Sequence, residues 1–100
     1  MSVVYAFDVD GTLETSSGPV YIDTLANMLH RGDWVYIVSP SPHRPKGWPV
    51  IPDRGRLENL KLVREIHPDA VRFVYVSDNG DTQIAADAGF EYVWPQDLLQ

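Results

Sequence analysis

The sequence has no cysteine, which excludes disulfides, thiolate metal sites and a cysteine nucleophile, and leaves the redox compartment open. Long apolar runs are missing as well: nothing approaches the roughly eighteen consecutive residues of a membrane-spanning helix. The apolar stretch from Met1 to Phe7 is too short for a signal peptide and stops at an acid, Asp8. A cytoplasmic protein with no membrane partner is the expectation. Positive charge is scarce, with eight Lys and Arg against fourteen Asp and Glu and a net charge of −6. Such a surface repels phosphate backbones at long range, so nucleic acid is admitted only as a substrate. The few cations are unevenly spread. Arg44, Lys46, Arg54 and Arg56 fall within thirteen residues, followed by Lys61 and Arg64. Repeats, low-complexity tracts and long polar ends are also lacking. The 100 residues, 44% of them apolar, therefore read as one compact domain, 1–100, with a core of its own.

What is present alternates between two periodicities. Val3 to Phe7 is a short run of β-formers, Trp34 to Val38 reads as a buried strand, Val71 to Val76 is the clearest strand, and Tyr92-Val93 predicts a small edge strand. Helical spacing predicts a helix over Tyr21 to His30, stopped near Gly32, and another carrying Leu57, Leu60, Val63 and Ile66 before Pro68. A short third helix is expected from Thr82 to Ala88, with Gly89 behind it. Ser39 to Arg54 holds five prolines and reads as a loop, with a short extended piece at Val50-Ile51. The fold class is α/β: a three-layer, Rossmann-like domain with a small, mainly parallel sheet flanked by helices.

In such folds ligands bind at the carboxyl ends of the strands. Three predicted strands run into oxygen-bearing side chains there: Asp8, Ser39 and Asp78. Asp and Ser also cap turns, but all three at one sheet edge favour a site. In Phe7-Asp8-Val9-Asp10-Gly11-Thr12, two carboxylates two positions apart can converge on one centre. Their repulsion calls for a cation, and magnesium accepts one or two carboxylates together with substrate phosphate. Gly11 permits a sharp turn and is expected to leave backbone N–H groups facing an anion. Arg54 and Arg56 fall at a helix start, where cations are unfavourable unless an anion is nearby. Lys61 lies outside the apolar arc of that helix and is expected to pair with Glu65 in solvent. The histidines at 30, 43 and 67 read as surface residues.

Asp8-Val-Asp10-Gly11-Thr12 after an apolar strand resembles the first motif of the haloacid dehalogenase superfamily. The likeness extends through Ser39, at the end of the second strand, and Ser77-Asp78-Asn-Gly-Asp81, after a later one, as far as Gly89. It implies a phosphomonoester hydrolase in which Asp8 attacks phosphorus and forms an aspartyl-phosphate. Asp10 would protonate the leaving oxygen and then activate water. An acid at position 10 favours phosphoryl transfer over dehalogenation. The resemblance implies phosphate contacts from Gly11, Thr12, Ser39 and one cation, for which Arg54, Arg56 and Lys61 stand in that order. Magnesium would be held by Asp8, Asp10 and Asp78, with Asp81 as ligand, as support, or only as a helix N-cap. Asp78 and Asp81 are three apart, closer than is usual in that family.

Many relatives carry a cap domain after the first or second motif. Here residues 12–31 hold one helix and residues 40–53 a fourteen-residue loop, so no cap and an open site are expected. An open site suits a bulky phosphorylated substrate, or closure by another subunit; the oligomeric state stays undecided. Trp48, beside the basic residues, could stack on a base or sugar, or anchor the loop to the core. Two alternatives remain beside the phosphatase: a catalytically weak module that binds phosphate groups or a protein, and a phosphatase of nucleic-acid ends.

Overall fold

In the computed structural model, which describes residues 2–51 and 54–100, the runs of β-formers pair into one parallel sheet of four strands. These are β1 (Val3–Phe7), β2 (Trp34–Ile37), β3 (Arg72–Val76) and β4 (Glu91–Val93), in the order β2-β1-β3-β4. Parallel neighbours need a crossover between them, and each connection carries one helix. These are α1 (Ile22–His30), α2 (Arg56–Ile66) and α3 (Thr82–Ala88). Short 3₁₀ turns at Glu14–Ser16 and Pro95–Asp97 complete the chain. No helix among the described residues is long and apolar enough to cross a membrane.

Strand β1 is the centre, with Phe7 level with Ile37 of β2 on one side and Val76 of β3 on the other. Its side chains alternate between two apolar clusters. Val4 and Ala6 join Phe73, Tyr75, Leu60, Val63, Ala85 and Ala88, whereas Phe7 joins Val74, Val76, Leu25 and Met28. Helices α2 and α3 thus supply one cluster and α1 the other. Removing a side chain such as Phe7 or Ile37 from water contributes about 1.5–3 kcal/mol, so this register resists slippage. Helix α1 begins without a capping side chain of its own. Its first amides are met from afar: Ile22 N–H donates to Glu14 Oε2 at 2.6 Å and Tyr21 N–H to Gln100 Oε1 at 2.8 Å.

Three expectations need correction. Trp34 is 49% exposed, not buried, because β2 is an edge strand; its ring lies 4.9 Å from that of His67. Ile66 is 48% exposed although it continues the apolar spacing of α2, while Asn59 takes a buried place on that helix. Lys61 pairs with Glu58 at 4.0 Å, within reach one turn earlier, and not with Glu65. The expected extended piece forms as a parallel bridge from Val50 to Ile37. Otherwise the described residues between β2 and α2 hold no helix or strand, and between β1 and α1 only the 3₁₀ turn is added. Pro52 and Asp53, part of the expected loop, lie outside the described residues.

His67 sits between Trp34 and Tyr36, whose hydroxyl is 2.6 Å from Nε2. Burial lowers its pKa below the ordinary 6.5. The unfolded chain therefore takes up this proton more readily than the native one. The stability from neutral His67 is intact above about pH 6.5 and is lost as pH falls toward the folded value. Melting temperatures at pH 7.5 and 5.5 should show a smaller acid-side loss in His67→Gln than in the wild type. Equal losses would remove His67 from the account.

Candidate active site

The register of the sheet brings the three strand ends level, and with them Asp8, Ser39 and Asp78. Asp8 follows the last residue of β1, and its amide donates to Val76 O at 3.0 Å, continuing the ladder. The residue is only 4% exposed. A carboxylate so placed needs partners on both oxygens. Arg56 Nη1 donates to Oδ1 at 3.2 Å and Asn79 Nδ2 to Oδ2 at 3.0 Å.

Arg56 is the first residue of α2, where the helix dipole disfavours a cation. The Asp8 charge compensates, and the guanidinium carbon also stands 5.8 Å from the centre of the Tyr75 ring. Of the three candidate cations, this is the one the structure brings to the site. Arg54 is exposed, and its backbone N–H donates to Asn59 Oδ1 at 3.3 Å. Lys61 lies five residues further along α2, on a different cleft.

Asp10 is exposed at the mouth of the site and receives two hydroxyls on one oxygen, Ser16 Oγ at 2.6 Å and Ser41 Oγ at 2.8 Å. These bonds, led by Ser16 and then Ser41, hold its carboxyl below the usual range, with His43 adding to them. Ser39 is buried and accepts the Ser41 N–H at 3.2 Å. A cleft of about 380 Å³ opens between Asp8, Asp10, Ser39, Ser41, Arg56 and Asn79.

The turn after β1 departs from expectation. The Gly11 N–H donates to Ser16 O at 2.9 Å and that of Thr12 to Val9 O at 3.0 Å, so neither is left for a phosphate. These bonds fold residues 9–20 back on themselves and deliver Ser16 to Asp10. Thr12 is fully buried, and its hydroxyl has no partner among the described residues. Gly11 matters for another reason. At φ +72°, a Cβ there would stand 1.8 Å from Asp78 Oδ2, so its missing side chain makes room for that carboxylate.

Asp78 itself is exposed, and its pKa is raised, first by partial burial and then by the Asp8 carboxylate, with Asp10 and Asp81 contributing. Asp81 occupies the N-cap position of α3 without a capping bond. Its Oδ2 instead receives the Tyr75 hydroxyl at 3.0 Å and Ser77 Oγ at 3.3 Å, which braces the end of β3. Tyr92 closes the same turn, donating its hydroxyl to Ser77 O and accepting the Gly80 N–H.

Among the described residues no group of three or more acidic or histidine side chains is gathered as for an all-protein metal cage. Of the acids at this edge Asp8 is the one whose charge most raises Asp78, and Gly11 leaves space beside the Asp78 carboxylate. A pair of carboxylates, with the remaining positions left to water and substrate, fits magnesium chemistry. Ser16, Ser41 and Asn79 were not anticipated as members of the site. Ser41 and Asn79 did carry a signal, since each follows a strand-end candidate by one or two residues.

A raised acid pKa means that the ionised form is disfavoured by the fold. Its stabilising share is complete below the ordinary 3.8 and is lost as pH rises through the folded value. Asp78→Asn should therefore raise the melting temperature at pH 7 in a chelating buffer; a lowered one would refute the crowding. Gly11→Ala should cost more than about 1 kcal/mol in denaturant unfolding, because the substitution adds both strain and a clash. Compared with known proteins, the chain matches no family model, no curated protein and no solved structure, so a reading of this site rests on its own chemistry.

Proposed function

We propose that this chain, as a cytoplasmic, capless, three-layer Rossmann-like domain, is a magnesium-dependent phosphomonoesterase with Asp8 as nucleophile. The observation that carries the proposal is Asp8 itself: a buried carboxylate at the end of the central strand, at the back of an open cleft, steadied by Arg56 and Asn79. Buried charge at the sheet's carboxyl edge is costly unless it is used, and Asp10, Ser39 and a cation surround it.

In the first step Asp8 bonds to phosphorus as the ester P–O bond breaks, and Asp10 gives the leaving oxygen its proton. In the second, Asp10 takes a proton from the water that attacks phosphorus; inorganic phosphate leaves and the Asp8 carboxylate is restored. Ser16 and Ser41 keep Asp10 ionised in the free protein, the form that the second step requires. A phosphoryl dianion in the cleft opposes that charge and raises the pKa of Asp10, which equips it for the first step. Arg56 can turn from Asp8 to the non-bridging oxygens as the substrate enters, with the Ser39 hydroxyl beside them. Magnesium held by Asp8 and Asp78 would offset the repulsion between carboxylate and phosphoryl oxygens.

A second reading, a phosphate-binding module without turnover, is favoured by one observation. Both Asp8 oxygens already have partners, which restrains a nucleophile. A screen over phosphorylated metabolites, nucleotides, oligonucleotides and peptides, with Asp8→Asn as the blank, separates the two. Turnover should require magnesium and fall roughly 10³-fold or more in Asp8→Asn. Asp10→Asn should lose roughly 10²- to 10⁴-fold while still accumulating phosphoprotein from a substrate with a good leaving group. Arg56→Ala should lose far more than Arg54→Ala or Lys61→Ala. Wild-type rates in Asp8→Asn, or in excess chelator, would end the proposal.

A further inference from the structure

We propose that the proline-rich loop over residues 38–51 forms a second subsite, which takes the nucleotide portion of a terminally phosphorylated single-stranded oligonucleotide. This rests on the phosphatase reading of the Asp8 cleft and names the class of its substrate. A second cleft, of about 590 Å³, adjoins the first and shares Pro40 and Pro42 with it. Its walls include Arg44, Lys46 and Trp48.

Three features identify the occupant. The first is charge. In a chain of net charge −6, residues 34–52 contain no Asp or Glu at all, yet carry His43, Arg44 and Lys46. Both Arg44 and Lys46 are exposed, and no ion pair occupies either among the described residues. A locally cationic cleft next to a phosphoryl site suits a second phosphate, not a neutral alcohol.

The second feature is the aromatic surface. Trp48 is half-buried, with part of its ring packed against the cluster around Phe7 and Ile37 and part lining the cleft. A ring held from behind by the core is a rigid platform, and base stacking on such platforms tolerates any sequence. Cation and platform side by side are the two parts of a single-strand site.

The third is coupling to the chemistry. Ser41 opens this loop and donates to Asp10 at 2.8 Å, while the His43 N–H donates to Ser41 Oγ at 3.2 Å and the Arg44 N–H to Ser41 O at 3.3 Å. The loop that would hold the rest of the substrate is thus hydrogen-bonded to the acid–base residue. Binding energy collected there can be spent on positioning Asp10, which a site without a cap cannot obtain from closure.

The test joins binding to turnover. Anisotropy of a labelled, terminally phosphorylated oligonucleotide on Asp8→Asn protein should fall with salt along a log–log slope of about −0.7 per phosphate engaged. In the Arg44→Ser/Lys46→Ser double variant that slope should flatten by at least one such step. In an otherwise wild-type background, the double variant should lower the ratio of kcat/KM for the oligonucleotide to that for a small aryl phosphate by roughly tenfold. An abasic terminal residue should bind more weakly than an intact one. An unchanged ratio and slope, or a phosphopeptide preferred over the oligonucleotide, would overturn the subsite even if the phosphatase reading holds. Salt-sensitive binding that depends on Arg44 and Lys46, without turnover of any ester, would support the subsite and sink the nucleophile instead.

Discussion

A buried carboxylate at the end of the central strand is the constraint from which the rest of the site follows. A carboxylate at 4% exposure needs donors on both oxygens, and two separate elements supply them. Arg56 arrives from the start of α2, and Asn79 from the turn after β3. Each donor is itself fixed. The Arg56 side chain is set over the Tyr75 ring, and the hydroxyl of that tyrosine is bonded to Asp81. The Asn79 turn is clamped by Ser77 and Tyr92. A chain of contacts from Asp8 through Arg56 and Tyr75 to Asp81 thus ties the site to the α2- and α3-side core.

Asp10 is built the opposite way. It is exposed, two residues beyond the strand, and its position comes from loops. The 9–20 segment folds back through main-chain bonds and presents Ser16, while the loop after β2 presents Ser41. One carboxylate is held by side chains rooted in helix and sheet edge, the other by hydroxyls on adaptable loops. That division would suit the proposed roles, a nucleophile that must be placed accurately and an acid–base group that must serve two oxygens in turn.

Most of the architecture was legible because the signals were long-range and redundant. Runs of β-formers ended at Asp8, Ser39 and Asp78, and helical spacing separated them, so the parallel sheet and the gathering of these residues at one edge could be read. The details that failed were those set by the path of the chain. Arg54 and Arg56 differ by two residues, and nothing in composition separates them. The backbone N–H of Arg54 is engaged by Asn59, whereas Arg56 opens the helix beside Asp8. The amides of Gly11 and Thr12 looked available because a glycine turn often exposes them; here the fold-back consumes both. Gly11 instead matters through packing, since the Asp78 carboxylate lies beside it. Trp34 was misplaced for want of the strand order, since burial differs between a central strand and an edge.

The electrostatics of the whole chain then bear on how a phosphate could reach this site at all. With a net charge of −6 and Asp8, Asp10, Asp78 and Asp81 at one edge, the bare site is hostile to a dianion. Arg56 does not reverse this, because its charge is already balanced by Asp8. Approach therefore depends on charge that the site does not itself neutralise, and the acid-free loop with Arg44 and Lys46, joined to Asp10 through Ser41, carries such charge. Cations on a cleft wall focus the potential locally even when the remote surface is negative. A substrate with one phosphate gains from them only on the way in, whereas a substrate with several keeps part of that attraction after its terminal phosphate has docked. Under the proposed activity, an acidic domain with this open cleft would discriminate by the charge beyond the scissile phosphate more than by enclosing the group itself.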